Sequence, residues 1–127
     1  MPKKTILLVE DEETHRELVA SHLSSASIKV LTANDGVQGL AMALKYHPDL
    51  ILLDIIMPYK DGIEMLRDLR RDPWGQTADV IMLTNLGDDT RINEVRSLGV
   101  ADYLVKTNWK LGEVVKKVRV RLGLKSP

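Results

Sequence analysis

The stretch Leu50-Ile51-Leu52-Leu53-Asp54-Ile55-Ile56-Met57-Pro58 decides the fold. Leu50 to Leu53 is an uninterrupted apolar run, the pattern of a strand covered on both faces, and it ends in an acid. Similar short runs lie at Ile6 to Val9, Ile28 to Leu31, Val80 to Leu83 and Tyr103 to Val105. Between them the apolar period lengthens. Val37, Leu40, Ala41 and Leu44 fall at i, i+3, i+4 and i+7, one face of a helix, and Leu111, Val114, Val115, Val118 and Leu122 repeat that face. Three more helices are expected at Glu13 to Ser25, Gly62 to Arg71 and Asp88 to Leu98, the last closed by Gly99 in a left-handed cap. This alternation predicts an α/β domain with a parallel sheet between two layers of crossover helices.

Length and charge narrow the function. The chain has 127 residues, enough for a single domain over residues 1–127 with no separate effector domain. Eighteen Lys and Arg balance eighteen Asp and Glu, so no net field holds a polyanion. Neither direct nucleic-acid binding nor a membrane role is expected. The lack of cysteine excludes a disulfide framework and a thiolate metal site. Lys3 and Lys4 precede only four apolar residues before Glu10-Asp11-Glu12-Glu13, so no secretory segment forms. No stretch approaches membrane-spanning length, and a cytoplasmic protein is expected.

Ligands of open α/β sheets bind at the carboxyl ends of the strands. Strand 1 ends in Glu10 and Asp11, strand 3 in Asp54, strand 4 in Thr84 and strand 5 in Lys106. With strand 2 at an edge the order is 2-1-3-4-5, the flavodoxin-like arrangement, and the acids of strands 1 and 3 meet at the topological switch point. Three carboxylates, a hydroxyl and an ammonium then face one pocket. At ~4 Å and an effective dielectric near 20, each pair of like charges costs roughly 4 kcal/mol, so the acids call for a cation or a proton. Hard carboxylate oxygens without histidine or cysteine favour Mg²⁺. Lys106 suits an incoming phosphoryl oxygen, and a carboxylate can be the nucleophile in phosphoryl transfer. Asp54, alone at the end of the central strand, is the candidate nucleophile. Taken singly, Asp11 or Glu12 reads as a helix N-cap, and Thr84 or Lys106 as a turn residue. Their coincidence at four strand ends favours a site.

Two groups of residues carry a resemblance to the receiver domains of response regulators. Ile6 to Val9 followed by Glu10-Asp11-Glu12 resembles that family's first strand and acidic pair, and Asp54-Ile55-Ile56-Met57-Pro58 with Asp61-Gly62 resembles its phosphoacceptor segment. Thr84 is similar to the switch hydroxyl, Tyr103 to the switch aromatic and Lys106 to the lysine after strand 5. The likeness covers essentially the whole chain. It implies that Asp54 accepts a phosphoryl group from a histidine kinase or phosphotransfer protein. Asp11, Asp54 and the Ile56 backbone carbonyl would bind Mg²⁺, with Glu10 acting directly or through water. Thr84 and Lys106 would hold phosphoryl oxygens, and Tyr103 would turn inward as Thr84 moves. A downstream protein target is implied, while the oligomeric state, monomer or phosphorylation-dependent homodimer, is left open. Such a domain acts on its own phosphoryl group and is otherwise no enzyme. Three positions depart from the family pattern: Thr107 replaces a proline, Asn85 a small residue and Glu10 an aspartate.

Other signals and readings carry less. His15, His22 and His47 lack ligand spacing and are expected at the surface; Trp74 is expected to cover a loop edge and Trp109 to start the last helix. The bases from Lys110 to Lys125 read as a solvated face that complements the helix dipole. Ile56 and Leu86 are expected to keep water from the attack path and so prolong the phosphorylated state. A magnesium-dependent aspartyl-phosphate phosphatase acting on small molecules is the alternative of another class, but a second acid two residues after the nucleophile is missing, since Ile56 stands there. A flavodoxin-like cofactor binder would meet repulsion from Glu10 to Glu13. A degenerate receiver used only for protein binding would not need Thr84 and Lys106.

Overall fold

The computed structural model describes residues 3–84, 89–105 and 110–125. The apolar runs form strands β1 (Lys4–Val9), β2 (Ile28–Ala33), β3 (Leu50–Asp54), β4 (Val80–Thr84) and β5 (Asp102–Val105). Helices α1 (Glu13–Leu23), α2 (Gly36–Tyr46), α3 (Gly62–Arg71), α4 (Asp89–Ser97) and α5 (Leu111–Arg121) alternate with them. The sheet is parallel, in the order β2-β1-β3-β4-β5 expected from the sequence. Val9 lies opposite Leu53, Asp54 opposite Leu83 and Thr84 opposite Val105. The strands therefore deliver their ends to one rim.

Period-2 alternation of the central strands divides the core into two. Leu7, Val9, Ile51, Leu53, Val80 and Met82 point to the side covered by α2, α3 and α4. Ile6, Leu8, Leu50, Leu52, Ile81 and Leu83 point to the side of α1 and α5, where Val19, Leu23, Val114 and Val118 close over them. All twelve of these strand residues are buried, which is why the runs show no polar alternation. No helix among the described residues is long and apolar enough to cross a membrane.

The helix limits differ from the sequence pattern where local hydrogen bonds intervene. Helix α1 stops at Leu23 rather than Ser25: the Ser24 hydroxyl donates to the Ala20 carbonyl (2.9 Å), Ser24 is extended, and Ser25 already pairs with Ile28. Gly99 closes the turn after α4 at φ 74°, as its sequence position suggests. Asp88, expected to open that helix, lies outside the described residues. A short 3₁₀ turn, Gly75–Thr77, follows α3 and was not expected. Beside it Trp74 stacks on His47, with ring centroids 4.2 Å apart and planes at 5°. The expected solvated face of α5 is partly ion-paired, Lys117 with Asp102 (2.8 Å) and Arg121 with Asp79 (2.7 Å).

Helices α3 and α4 are joined by three arginine side chains. Arg91 of α4 meets Asp61 before α3 (2.8 Å), and Arg67 of α3 donates from Nε to Glu94 of α4 (3.0 Å). Arg70 donates to the carbonyls of Leu98 (2.7 Å) and Gly99 (3.1 Å) after α4, and to those of Gly75 and Ala78 (2.7 Å each). A part-buried guanidinium thus donates to four carbonyls at the ends of the 3₁₀ turn and of α4. Arg70→Met keeps the aliphatic stem and removes every one of these bonds. We expect it to lower the free energy of unfolding by about 2–3 kcal/mol, read as a lower denaturant midpoint at unchanged slope, because charged hydrogen bonds are each worth up to about 1.5–3 kcal/mol and neighbours partly compensate.

Candidate functional site

Strand β1 hands the chain to Glu10 and Asp11, and β3 ends in Asp54. Because β1 and β3 are neighbours in register, carboxylate oxygens of all three acids come within 4.8 Å of one another. Glu10 is 1% and Asp54 3% exposed, while Asp11 is open to solvent. Burying two carboxylates beside a third opposes their charges in a poorly screened place. The Asp54 Oδ1 accepts the Ile56 amide N–H at 3.4 Å, a long bond. An all-oxygen donor set of this kind, open on the Asp11 side, fits a hard divalent cation such as Mg²⁺.

The loops that hold these acids are themselves fixed. Arg16 folds back from α1 and donates to the carbonyls of Glu10 (2.9 Å) and Asp11 (3.4 Å). After Asp54 the chain turns through Pro58 and Tyr59, the latter at φ 65°, and re-enters helix at Gly62, whose N–H donates to Ile55 (2.8 Å). Asp61 caps α3 by accepting the Glu64 N–H (2.9 Å), and Glu64 reaches back to the Asp61 N–H (3.5 Å). Burial raises the Asp61 pKa, but the Glu64 amide and the Arg91 guanidinium outweigh it and hold the carboxyl below its usual range. A depressed carboxyl contributes stability that is complete above its unfolded pKa and lost as pH falls through the folded one. Asp61→Asn keeps a capping side chain and removes the charge. The stability gap between the native chain and this variant is therefore expected to narrow in urea melts as the buffer is taken from neutral to about pH 3.

The remaining expected residues are placed as follows. Thr84 closes β4, and its strand neighbour Leu83 accepts the Ile55 N–H (3.1 Å), so β3 and β4 reach the rim together. Ile56, two residues after Asp54, is 56% exposed. Tyr103, half-buried on β5, packs on the α2–α4 side and its hydroxyl accepts from Arg96 of α4 at 2.9 Å. Lys106, with Asn85, Leu86, Thr107 and Trp109, lies outside the described residues.

One expectation is corrected: His15 is not a simple surface residue. It is half-buried, and its Nδ1 lies 3.3 Å from Oε2 of Glu10. The spacing among histidines carries no signal for this contact. The signal is its distance from the acidic pair, since the first turn of α1 doubles back over the end of β1. Arg16 carries no signal in the sequence for the same reason. His22 and His47 are exposed as expected.

Comparison with known proteins agrees with this geometry. A sequence profile of the response regulator receiver domain matches residues 6–119. The phosphate regulon transcriptional regulatory protein PhoB of Pseudomonas aeruginosa is 39% identical over 106 residues, 84% of this chain and 46% of that protein. The chain spans less than half the length of the curated relatives it matches first. The chemotaxis protein CheY4 of Vibrio cholerae superposes with a TM-score of 0.84 at 28% identity, covering 93% of this chain and 98% of that one. The receiver domain of sensor histidine kinase PA1611 from Pseudomonas aeruginosa, solved with a magnesium ion coordinated in its active site cleft, also gives 0.84 at 28% identity, covering 95% and 98%. With the matching profile, the strand order and the acids at the switch point in agreement, the chain belongs to the response regulator receiver domain family.

Proposed function

We propose that this receiver takes a phosphoryl group on Asp54 from a histidine kinase or phosphotransfer protein and presents the result to a protein partner. One observation carries the reading: Asp54 is buried at the end of the central strand with Glu10 and Asp11 carboxylates within 4.8 Å. Glu10, Asp11, Asp54 and the Ile56 carbonyl are the residues proposed to hold Mg²⁺, which when bound would neutralise charge on the phosphoryl oxygens. Asp54 supplies the attacking oxygen, and the phosphorus bond to the donor nitrogen breaks as the bond to the carboxylate forms. Thr84 and Lys106 are proposed to hold the phosphoryl oxygens. Ile56 and Leu86 are proposed to shield the acyl phosphate from water and lengthen its life.

The switch would run through α4 and β5. Phosphorylation adds roughly −1.5 to −2 of charge beside the end of β4. Tyr103, bonded to Arg96 of α4, sits where movement of that rim would release or trap its ring. We read the unit as one receiver over residues 1–127, working in the cytoplasm, catalysing only its own phosphoryl transfer and hydrolysis, and meeting its downstream target or a second copy through the α4–β5–α5 face. Incubation with acetyl phosphate and Mg²⁺, followed by intact-mass measurement, tests the reading. A gain of one phosphoryl group that disappears when Mg²⁺ is chelated supports it. A mass that never changes, with the chain folded and Mg²⁺ present, sinks it.

A further inference from the structure

We infer that the outer face of α2 is a contact surface between two copies of this chain, which pair antiparallel through Val37, Leu40, Ala41 and Leu44. The inference goes beyond the phosphoacceptor reading and does not depend on it.

The sequence places these four residues on one helical stripe, yet α2 packs inward by a different one. Gly36, Gly39 and Ala43 are the buried residues of the helix. A Cβ at Gly39 would stand 2.9 Å from the Met65 sulfur and from both Cγ atoms of Val9, and one at Gly36 would stand 2.3 Å from the Lys60 carbonyl oxygen. Small residues thus press the helix onto β1 and α3 and leave no room for a bulkier inward face. The large apolar residues turn out instead. Val37 is 58% and Leu44 37% exposed, Ala41 lies open between them, and Leu40 is half-buried at the margin. Single exposed apolar residues are ordinary, but a contiguous row over two turns marks a contact surface.

Charge selects what covers it. The middle of the row is neutral, with Gln38 and Ala41 exposed there, and its ends differ in sign. Asp35 caps the N-terminus, accepting the Gln38 N–H at 2.8 Å, and Lys45 stands in the last turn. Antiparallel pairing about a two-fold axis between Leu40 and Ala41 brings the Asp35 end of each helix beside the Lys45 end of the other, with the helix dipoles opposed. Parallel pairing would set like beside like. The same axis sets Val37 against Leu44 of the second copy and Leu40 against its Ala41, large against small, as close helix packing requires. Helix α2 packs on β1, β2 and α3, toward the β2 edge of the sheet, so the α4–β5–α5 face at the other edge stays open in such a pair. One helix face falls short of the ~800 Å² per partner of a standard interface, so the pair is a transient one.

Sedimentation equilibrium of the full chain is the test. We expect the average mass of the native chain to rise toward that of a dimer as its concentration is taken to about 1 mM. Ala41→Glu, which puts two like charges near the axis, should weaken association by at least about 10-fold. Lys45→Glu should weaken it roughly 3-fold, because an exposed attraction between the helix ends becomes a repulsion. Leu18→Glu adds the same charge at an exposed apolar site of α1 and should associate as the native chain does. A native chain that stays monomeric at about 1 mM overturns the inference and leaves the row to another partner. Native-like association by Ala41→Glu overturns it too, as does a loss in Leu18→Glu as large as that in Ala41→Glu. Orientation is read separately. The chain has no cysteine, so Val37→Cys and Leu44→Cys chains, mixed and mildly oxidised, can link only through the new thiols. Mass spectrometry should show the mixed disulfide in excess over both self-linked forms; self-linked products in excess overturn the antiparallel pairing. Glutamate suits an exposed helix position, and should Ala41→Glu nonetheless fail to fold, the cross-linking decides.

Discussion

The Asp54→Asn chain is expected to take up no phosphoryl group from acetyl phosphate in Mg²⁺ buffer, under conditions in which the native chain is labelled. An amide has no charged oxygen to attack phosphorus, and the other two acids are poorly placed to replace it. Glu10 is buried against His15, and Asp11 lies at the open side of the pocket. The substitution should leave the fold intact and strengthen it in the absence of metal. Removing one of three crowded negative charges relieves repulsion, so we expect a gain on the order of 1 kcal/mol in a urea melt. This opposite movement of labelling and stability separates lost chemistry from lost structure. Labelling of the variant equal to that of the native chain would show that the phosphoryl group goes elsewhere.

Gly62→Ala is expected to damage both stability and the pocket. A Cβ at this position would stand 2.1 Å from the carbonyl oxygen of Asp54 and 2.9 Å from its carbon. Both are backbone atoms, so no side chain can swing aside. Either α3 must shift from the end of β3, breaking the Gly62 bond to Ile55 and straining the Asp61 cap, or the peptide after Asp54 must turn. Overpacking a rigid site costs about 1–3 kcal/mol, and we place this case at the upper limit because both clashing partners are main chain. That is a large part of the 5–15 kcal/mol that usually separates folded from unfolded domains. A lowered denaturation midpoint should be accompanied by weaker Mg²⁺ binding in the fraction that folds. An alanine variant with native midpoint and native metal binding would show that the loop gives way without cost.

What could be read beforehand follows the range of the interactions involved. The five strands and the limits of α3 are legible because apolar runs and local caps set them, as at Asp61 and Glu64. The meeting of Glu10 and Asp11 with Asp54 is legible through topology, since order and register place two strand ends side by side. The contact of His15 with Glu10 depends instead on the angle at which α1 leaves the rim, which no periodicity encodes. The Trp74 stack on His47 and the reach of Arg70 to Leu98 join residues 27 or more apart through side chains alone. The 3₁₀ turn at Gly75 hangs on a bond from its N–H to Asp72 (3.0 Å), a pattern too short to rise above an ordinary loop.

The separation of the core by the sheet has an evolutionary consequence. Residues under α1 and α5 do not share a cluster with those under α2, α3 and α4, so the parallel strands act as a partition between two interiors. Substitutions that share no partner tend to add rather than interact. A lineage can therefore rework the α1–α5 side to suit one protein while the α2–α4 side drifts or adapts to another, each at its own pace. Among the described residues the acids belong to neither cluster and stand at the strand ends, where the partition itself stops.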